Sequence, residues 1–315
     1  MAREVRLSEQ QLRLFSAMAV AIIAMAVALL MLIFVPGAMG GGIVGDQPPA
    51  SGDWVVANDT VVTDTTVTVK GSILVKASLT VRGSSILVEG AADGSVGINV
   101  TPGGGLAVND SSIASSSGYR YYFHVHDEMD LTRVTVRKVR GGVNVSTSGT
   151  VNIDTVRILD FEGPGLVLEG ASGTVVKDVS FQADAYVSHH SASLSTDASR
   201  PQFDWELDHP GIIVVRGGGP SIDGVDISVN GTSVLDLAYD RTNAGGGLGI
   251  DLDWGIVFVE NGEKVHISDV TIRDSNIYHT LNVDVTASTA GFFRLDLSYG
   301  ADVALVRNYR DGSVA

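Results

Sequence analysis

The spacing of apolar residues divides the chain into two unequal parts. From Phe15 to Val35 the sequence FSAMAVAIIAMAVALLMLIFV is uncharged, and Ser16 is its one polar residue. At about 1.5 Å per residue this run makes roughly 30 Å of helix, enough to cross a bilayer core. Beyond residue 52 the pattern changes. Short apolar–polar alternations are broken every few residues by Gly, Asp, Asn or Ser, which is the signature of short strands joined by tight turns.

Those short strands repeat. A six-residue pattern with apolar residues at its first and last positions recurs at 81–86, 108–113, 131–136, 153–158, 176–181, 222–227 and 267–272. Successive starts lie 27, 23, 22, 23, 46 and 45 residues apart. About ten residues ahead stands a second motif: GINV at 97–100, GVNV at 142–145, GLVL at 165–168 and GIIV at 211–214. GIVF at 255–258 follows with one extra residue of spacing. A unit of about 23 residues built from such short strands cannot bury its apolar face alone and must stack on the next one. The pattern predicts an all-β fold, a right-handed parallel β-helix of nine or ten coils rising about 4.8 Å each.

Within the six-residue motif, the pairs Arg82-Gly83, Asn109-Asp110, Lys177-Asp178, Asp223-Gly224 and Ser268-Asp269 are turn residues that tolerate left-handed backbone or close their own turns. Val134, Val156, Val179, Val225 and Val270 share one slot, which predicts a single buried column. The two double-length steps locate insertions at 183–210 and 231–254. Both follow the same motif and precede the same strand, so they should emerge at one corner of neighbouring coils.

Composition and charge narrow the setting. The chain has 37 Gly, no Cys and a net charge of −15, which excludes disulfides, thiol chemistry and general affinity for nucleic acid. Arg3, Arg6 and Arg13 precede the apolar run, so residues 1–14 are expected in the cytoplasm, 15–35 as a signal anchor and the remainder outside. Cleavage near Ala38 and Gly40, releasing a secreted protein, is the rival topology. Residues 36–52 read as a Gly/Pro linker before a β-helix domain at 53–315. Five glycosylation sequons, at Asn58, Asn99, Asn109, Asn144 and Asn230, all fall in the exterior part.

Gly52-Asp53-Trp54 after a membrane segment, Tyr121-Tyr122-Phe123 ahead of the regular coils, and the repeats themselves carry a resemblance. The chain resembles the pectin-lyase-like β-helix proteins with PbH1-type repeats, and in particular archaeal cell-surface members. The resemblance covers about residues 52–300 and implies the fold. It leaves activity open, because such proteins include lyases, hydrolases, epimerases and non-catalytic binders. The Gly-His-Gly and Arg-x-Lys tripeptides of the polygalacturonase-like hydrolases do not occur. Arg133, Arg137 and Arg140 lack the Asp ladder that accompanies the arginine base of pectate lyases.

Two places have residues suited to chemistry. The segment FHVHDEMD at 123–130 sets His124 and His126 on one face of a strand, with Asp127, Glu128 and Asp130 following. His-x-His plus a carboxylate such as Asp127 is a zinc-ligand pattern, but His124 falls in the slot that Asn99 and Asn144 occupy in flanking coils. The insertions hold His189, His190, Asp204, Trp205, Glu206, Asp208 and His209 in one, and Tyr239, Asp240, Arg241, Asp251, Asp253 and Trp254 in the other. A shared rim of acids and aromatic rings suits sugar or calcium; the alternative is that the tryptophans fill the core edge. Glycine runs at 103–105, 217–219 and 245–247 read as solenoid turns rather than phosphate loops. Three functions fit: a membrane-anchored surface protein binding glycan or a surface partner, a polysaccharide lyase or epimerase, and an envelope spacer.

Overall fold

The computed structural model describes residues 41–196, 202–209, 211–241, 247–254, 257–260, 265–272, 276–287, 293–298, 304–307, 309–310 and 313–314. The expected anchor at 15–35 lies outside them. Among the described residues no helix is long and apolar enough to cross a membrane.

The repeat resolves into a parallel β-solenoid. One ribbon stacks nine parallel strands, one per coil: Trp54–Val56, Ile73–Val75, Gly97–Val100, Tyr121–Val125, Val139–Ser146, Leu166–Glu169, Ile213–Arg216, Val257–Glu260 and Ala304–Arg307. A second ribbon stacks Thr60–Thr63, Ser78–Arg82, Gly105–Asn109, Glu128–Thr132 and Val151–Asp154. The third stacks Thr66–Val69, Ser85–Val88, Ser112–Ser115, Thr135–Arg137 and Arg157–Leu159. Val175–Thr196 and Ser221–Arg241 then run unbroken through the second and third ribbons together. In most of the short strands whose side chains are described, alternate residues point inward, so one column after another of Val, Ile and Leu fills the interior.

The register corrects one part of the sequence pattern. Leu166 pairs with Ile213, which puts Ile212, not Gly211, in the slot of Gly165. Val257 pairs with Ile213, while Gly255 lies outside the described residues. Glycine in that slot is a packing requirement of individual coils. A Cβ on Gly165 would meet the Phe181 ring at 2.4 Å.

The turn between the second and third ribbons holds a left-handed residue, of a type that tolerates it in most coils. Gly83, Asp110, Asp178, Gly224 and Asp269 have φ of 56°, 48°, 52°, 66° and 50°. Arg133 and Thr155 take the same conformation, at 52° and 56°, in coils whose residue type gives no hint of it. Arg133 is tied down: its Nη2 donates to Asp110 Oδ2 at 2.8 Å and to Asn109 Oδ1 at 2.7 Å. Thr155 is exposed and β-branched, a poor occupant of this region. Thr155→Gly is therefore expected to stabilise the protein by about 1 kcal/mol, read as a higher denaturant midpoint; an unchanged or lower midpoint would count against a strained turn.

Directly after the turn comes the valine column. Val134, Val156, Val179 and Val225 are all 1% exposed or less. Val179, Val225 and Val270 pair in register, while the side chain of Val270 lies outside the described set. In the first coils Thr65, Ser84 and Ser111 hold the slot instead. There Ser84 Oγ accepts from Thr65 N–H at 3.2 Å and Ser111 Oγ accepts from Ser84 N–H at 3.0 Å.

The double-length steps are single long coils. Leu166, Ile213, Val257 and Ala304 are in-register neighbours, 47, 44 and 47 residues apart. The described residues of the intervening segments, expected as loops, are strands. Outgoing stretches pair from Tyr186 to Gly231 onward and from Asn230 to Asn276 onward. Returning strands Gln202–His209, Gly247–Trp254 and Phe293–Ser298 form a separate parallel sheet. One such insertion has no partner for its backbone. Three of matching length in consecutive coils satisfy one another, so the corner widens into a stacked wing.

The Gly/Pro stretch is not wholly a linker. Gly42–Val44 pairs antiparallel with the strand Thr60–Thr63, capping the second ribbon. The Asp46 carboxylate accepts from the Ala57 and Asn58 backbone N–H groups and from Asn58 Nδ2 at 3.0 Å. These bonds hold its pKa below the usual carboxylate value, the Asn58 side chain contributing most. Trp54, fully buried, donates its indole N–H to Asp46 O at 3.1 Å.

Candidate functional site

The outer face of the first ribbon carries the best-defined cluster of side chains. Phe123 and Val125 are 0% exposed inside the coil, so Tyr122, His124 and His126 share the outer face. His124 pairs in register with Asn99 on one side and Asn144 on the other, the slot expected from the repeat. The Tyr122 ring lies across the neighbouring strand, where a Cβ on Gly97 would touch the ring at 2.4 Å. Its hydroxyl is 3.4 Å from Ser72 Oγ, which also accepts the Gly97 N–H at 3.2 Å. Tyr122 thus spans three coils. The missing side chain at Gly97 admits both the Tyr122 carbonyl oxygen and the ring.

The rings form a continuous strip. Tyr122 and His124 are 5.1 Å apart between centroids, and His124 and His126 are 6.4 Å apart in an edge-to-face arrangement. Partial burial keeps the pKa of His124 below the ordinary imidazole value, with His126 acting in the same direction and Glu169 against it. Beneath the strip Asn99 Oδ1 is buried with no hydrogen-bond partner. The outer middle column, Val55, Leu74, Asn99, His124, Asn144, Val167 and Val214, has no carboxylate, lysine or arginine. Val167 and Val214 are buried and pair as a small apolar cluster, which ends the accessible part of the column. Alongside, Glu169 and Arg216 form an ion pair at 3.0 Å.

The acids after the histidines turn elsewhere. The Asp127 carboxylate accepts the Gly103 backbone N–H, joining two coils. Asp130 Oδ1 accepts from Thr132 Oγ1 at 2.9 Å and from Asn152 Nδ2 at 3.0 Å. Glu128 is exposed on the strand of the second ribbon. No group of three or more metal-ligating residues occurs among the described residues.

The arginines are committed as well. Arg133 pairs with Asp110, and Arg137 with Asp160 at 2.6 Å. Glu162 joins Arg120 at 3.3 Å and Arg140 at 3.1 Å. The glycine run at 103–105 is a turn, with Gly103 at φ 85° and Gly104 against Val75 O; Gly217 and Gly218 are likewise left-handed, at 69° and 74°. Gly247 begins a returning strand, while 245 and 246 lie outside the described residues.

In the wing, register relates the two insertions. Asp204 pairs with Gly249, Trp205 with Ile250, Glu206 with Asp251, Asp208 with Asp253 and His209 with Trp254. Asp251 pairs in turn with Asp296. Trp205 and Trp254 therefore stand on adjacent strands, offset by four residues, about 13 Å along the sheet. Asp204, Glu206 and Asp208 alternate in sequence with Phe203, Trp205 and Leu207. On the outgoing strands His189 pairs with Val234, His190 with Leu235, Leu194 with Tyr239, Ser195 with Asp240 and Thr196 with Arg241. Backbone pairing brings the acid-bearing and ring-bearing positions to neighbouring strands of one arm.

The platform around Tyr122 was not legible as a site. Its signals were Gly97 one coil before Tyr122 and the uncharged column, and both become visible only in register. No family model matches the chain, and neither the curated proteins nor the solved structures contain a match. The fold defines the protein as a parallel β-solenoid of roughly 23-residue coils, widened in its C-terminal half.

Proposed function

We propose that this protein is a membrane-anchored, non-catalytic surface β-helix that binds neutral carbohydrate on the outer face of its first ribbon. The observation that carries this reading is the Tyr122 ring, packed against Gly97 beside His124, with Asn99 and Asn144 in the adjoining column without formal charges. An aromatic face suits the apolar side of a sugar ring, and amides suit its hydroxyls. The net charge of −15 disfavours polyanionic glycans. The anchor reading rests on the uncharged run at 15–35 and its arginine-bearing flank, and the resemblance to PbH1-type archaeal surface proteins agrees with it. The pairing of Arg133, Arg137 and Arg140 with carboxylates favours binding over a lyase mechanism, which requires a free arginine base.

The test is titration of the full-length protein with neutral hexose oligosaccharides, with and without calcium. Calcium is included because Glu206, Asp251 and Asp296 align in register on the returning strands. Tyr122→Ala is expected to weaken binding about tenfold, equivalent to about 1.4 kcal/mol, while Thr68→Ala on the third ribbon leaves it unchanged. Equal affinity in both variants sinks the platform. Protease applied to intact cells should remove the β-helix; its protection would overturn the topology.

A further inference from the structure

We infer that His124 and His126 form a two-histidine chelate for a late divalent transition metal, zinc or copper(II), on the outer face of the first ribbon. The inference does not rest on carbohydrate binding, and metal alone tests it.

His124 lies on the strand Tyr121–Val125, whose inward side chains Phe123 and Val125 are 0% exposed, and His126 is the residue directly after it. The backbone between them is thereby fixed, and both imidazoles project to the same side. Their ring centroids are 6.4 Å apart. With metal–nitrogen bonds of about 2.0–2.1 Å, two rings on one ion have centres roughly 5–6 Å apart. A small side-chain rotation closes the gap with no movement of the strand. The rings contact each other, His124 also contacts Tyr122, and neither imidazole has a hydrogen-bond partner among the described residues. Their nitrogens are available.

Donor chemistry selects the ion. Imidazole prefers zinc, copper and nickel, whereas calcium and magnesium require oxygen. Asp127, the carboxylate next in sequence, is bonded to the Gly103 N–H, so water completes the coordination shell. Asn99 adds an independent observation. Its buried Oδ1 is an acceptor without a donor, directly opposite His124 in register. A ligating histidine generally donates its second ring N–H to such an oxygen, which fixes the nitrogen presented to the metal.

The experiment uses the full-length chain, purified in detergent without a polyhistidine tag. Zinc is titrated in competition with a chromophoric chelator, and copper(II) is followed by electron paramagnetic resonance. One site with nitrogen hyperfine structure from two imidazoles is expected. His126→Ala, at an exposed position, should weaken zinc at least tenfold and leave one coordinating nitrogen in the copper spectrum; His124→Ala should do the same. His266→Ala, on a different ribbon, should change neither. Retention of the wild-type zinc affinity in the double variant His124→Ala/His126→Ala overturns the site, as does a wild-type copper spectrum lacking nitrogen coupling.

Discussion

Replacing Val179 by aspartate destabilises the β-helix by about 3–5 kcal/mol, the range for an uncompensated charge in a protein interior. Val179 is 1% exposed and stands between Val156 and Val225, both equally buried. The column contains no hydrogen-bond donor to receive a carboxylate at that level, in contrast with the serine-lined turn around Ser84 and Ser111. The introduced acid has a folded-state pKa raised by burial, so its unfavourable contribution grows as pH rises above the unfolded value of about 3.9. The deficit should therefore be larger at pH 7 than at pH 4. Gln182→Asp, three residues on at an exposed position of the same strand, is the control. A melting temperature for Val179→Asp equal to that of the control would show that the column is not a core.

Truncating Phe161 to alanine is expected to cost about 3–5 kcal/mol, with the loss concentrated where the coil widens. Phe161 is 0% exposed and packs edge-to-face on Phe181 at 6.1 Å and on Tyr186 at 5.6 Å. Burial at this junction pushes the Tyr186 phenol pKa up to about 12. Phe181 ends the ordinary coil and Tyr186 begins the outgoing strand of the wing, so Phe161 supports both. A cavity here loosens the first long coil against the last short one. Because coils contact only their neighbours, the solenoid need not melt as one unit. Hydrogen exchange should accelerate over residues 181–196 and 221–241 before the coils at 54–115 are affected. Uniform acceleration along the whole solenoid would mean that the wing has no separate junction.

Several features follow from local rules in the sequence. A side chain that alternates every residue and repeats every coil specifies both the strand and its stacking partner, so the buried columns and turn slots could be read directly. The left-handed turn was legible at Asp110, Asp178 and Gly224 because Gly and Asp tolerate that backbone. It was not legible at Arg133 and Thr155, whose residue types disfavour it and which the neighbouring coils hold in place. Pairing between distant segments belongs to the tertiary structure. Register alone shows that the steps of 44 and 47 residues are long coils and that their insertions are strands, because a strand requires a partner for its backbone. The same register sets Glu206 beside Asp251 and places Trp205 and Trp254 four residues apart on neighbouring strands. It also lays Tyr122 on Gly97, since neither residue marks a surface until stacking puts one over the other.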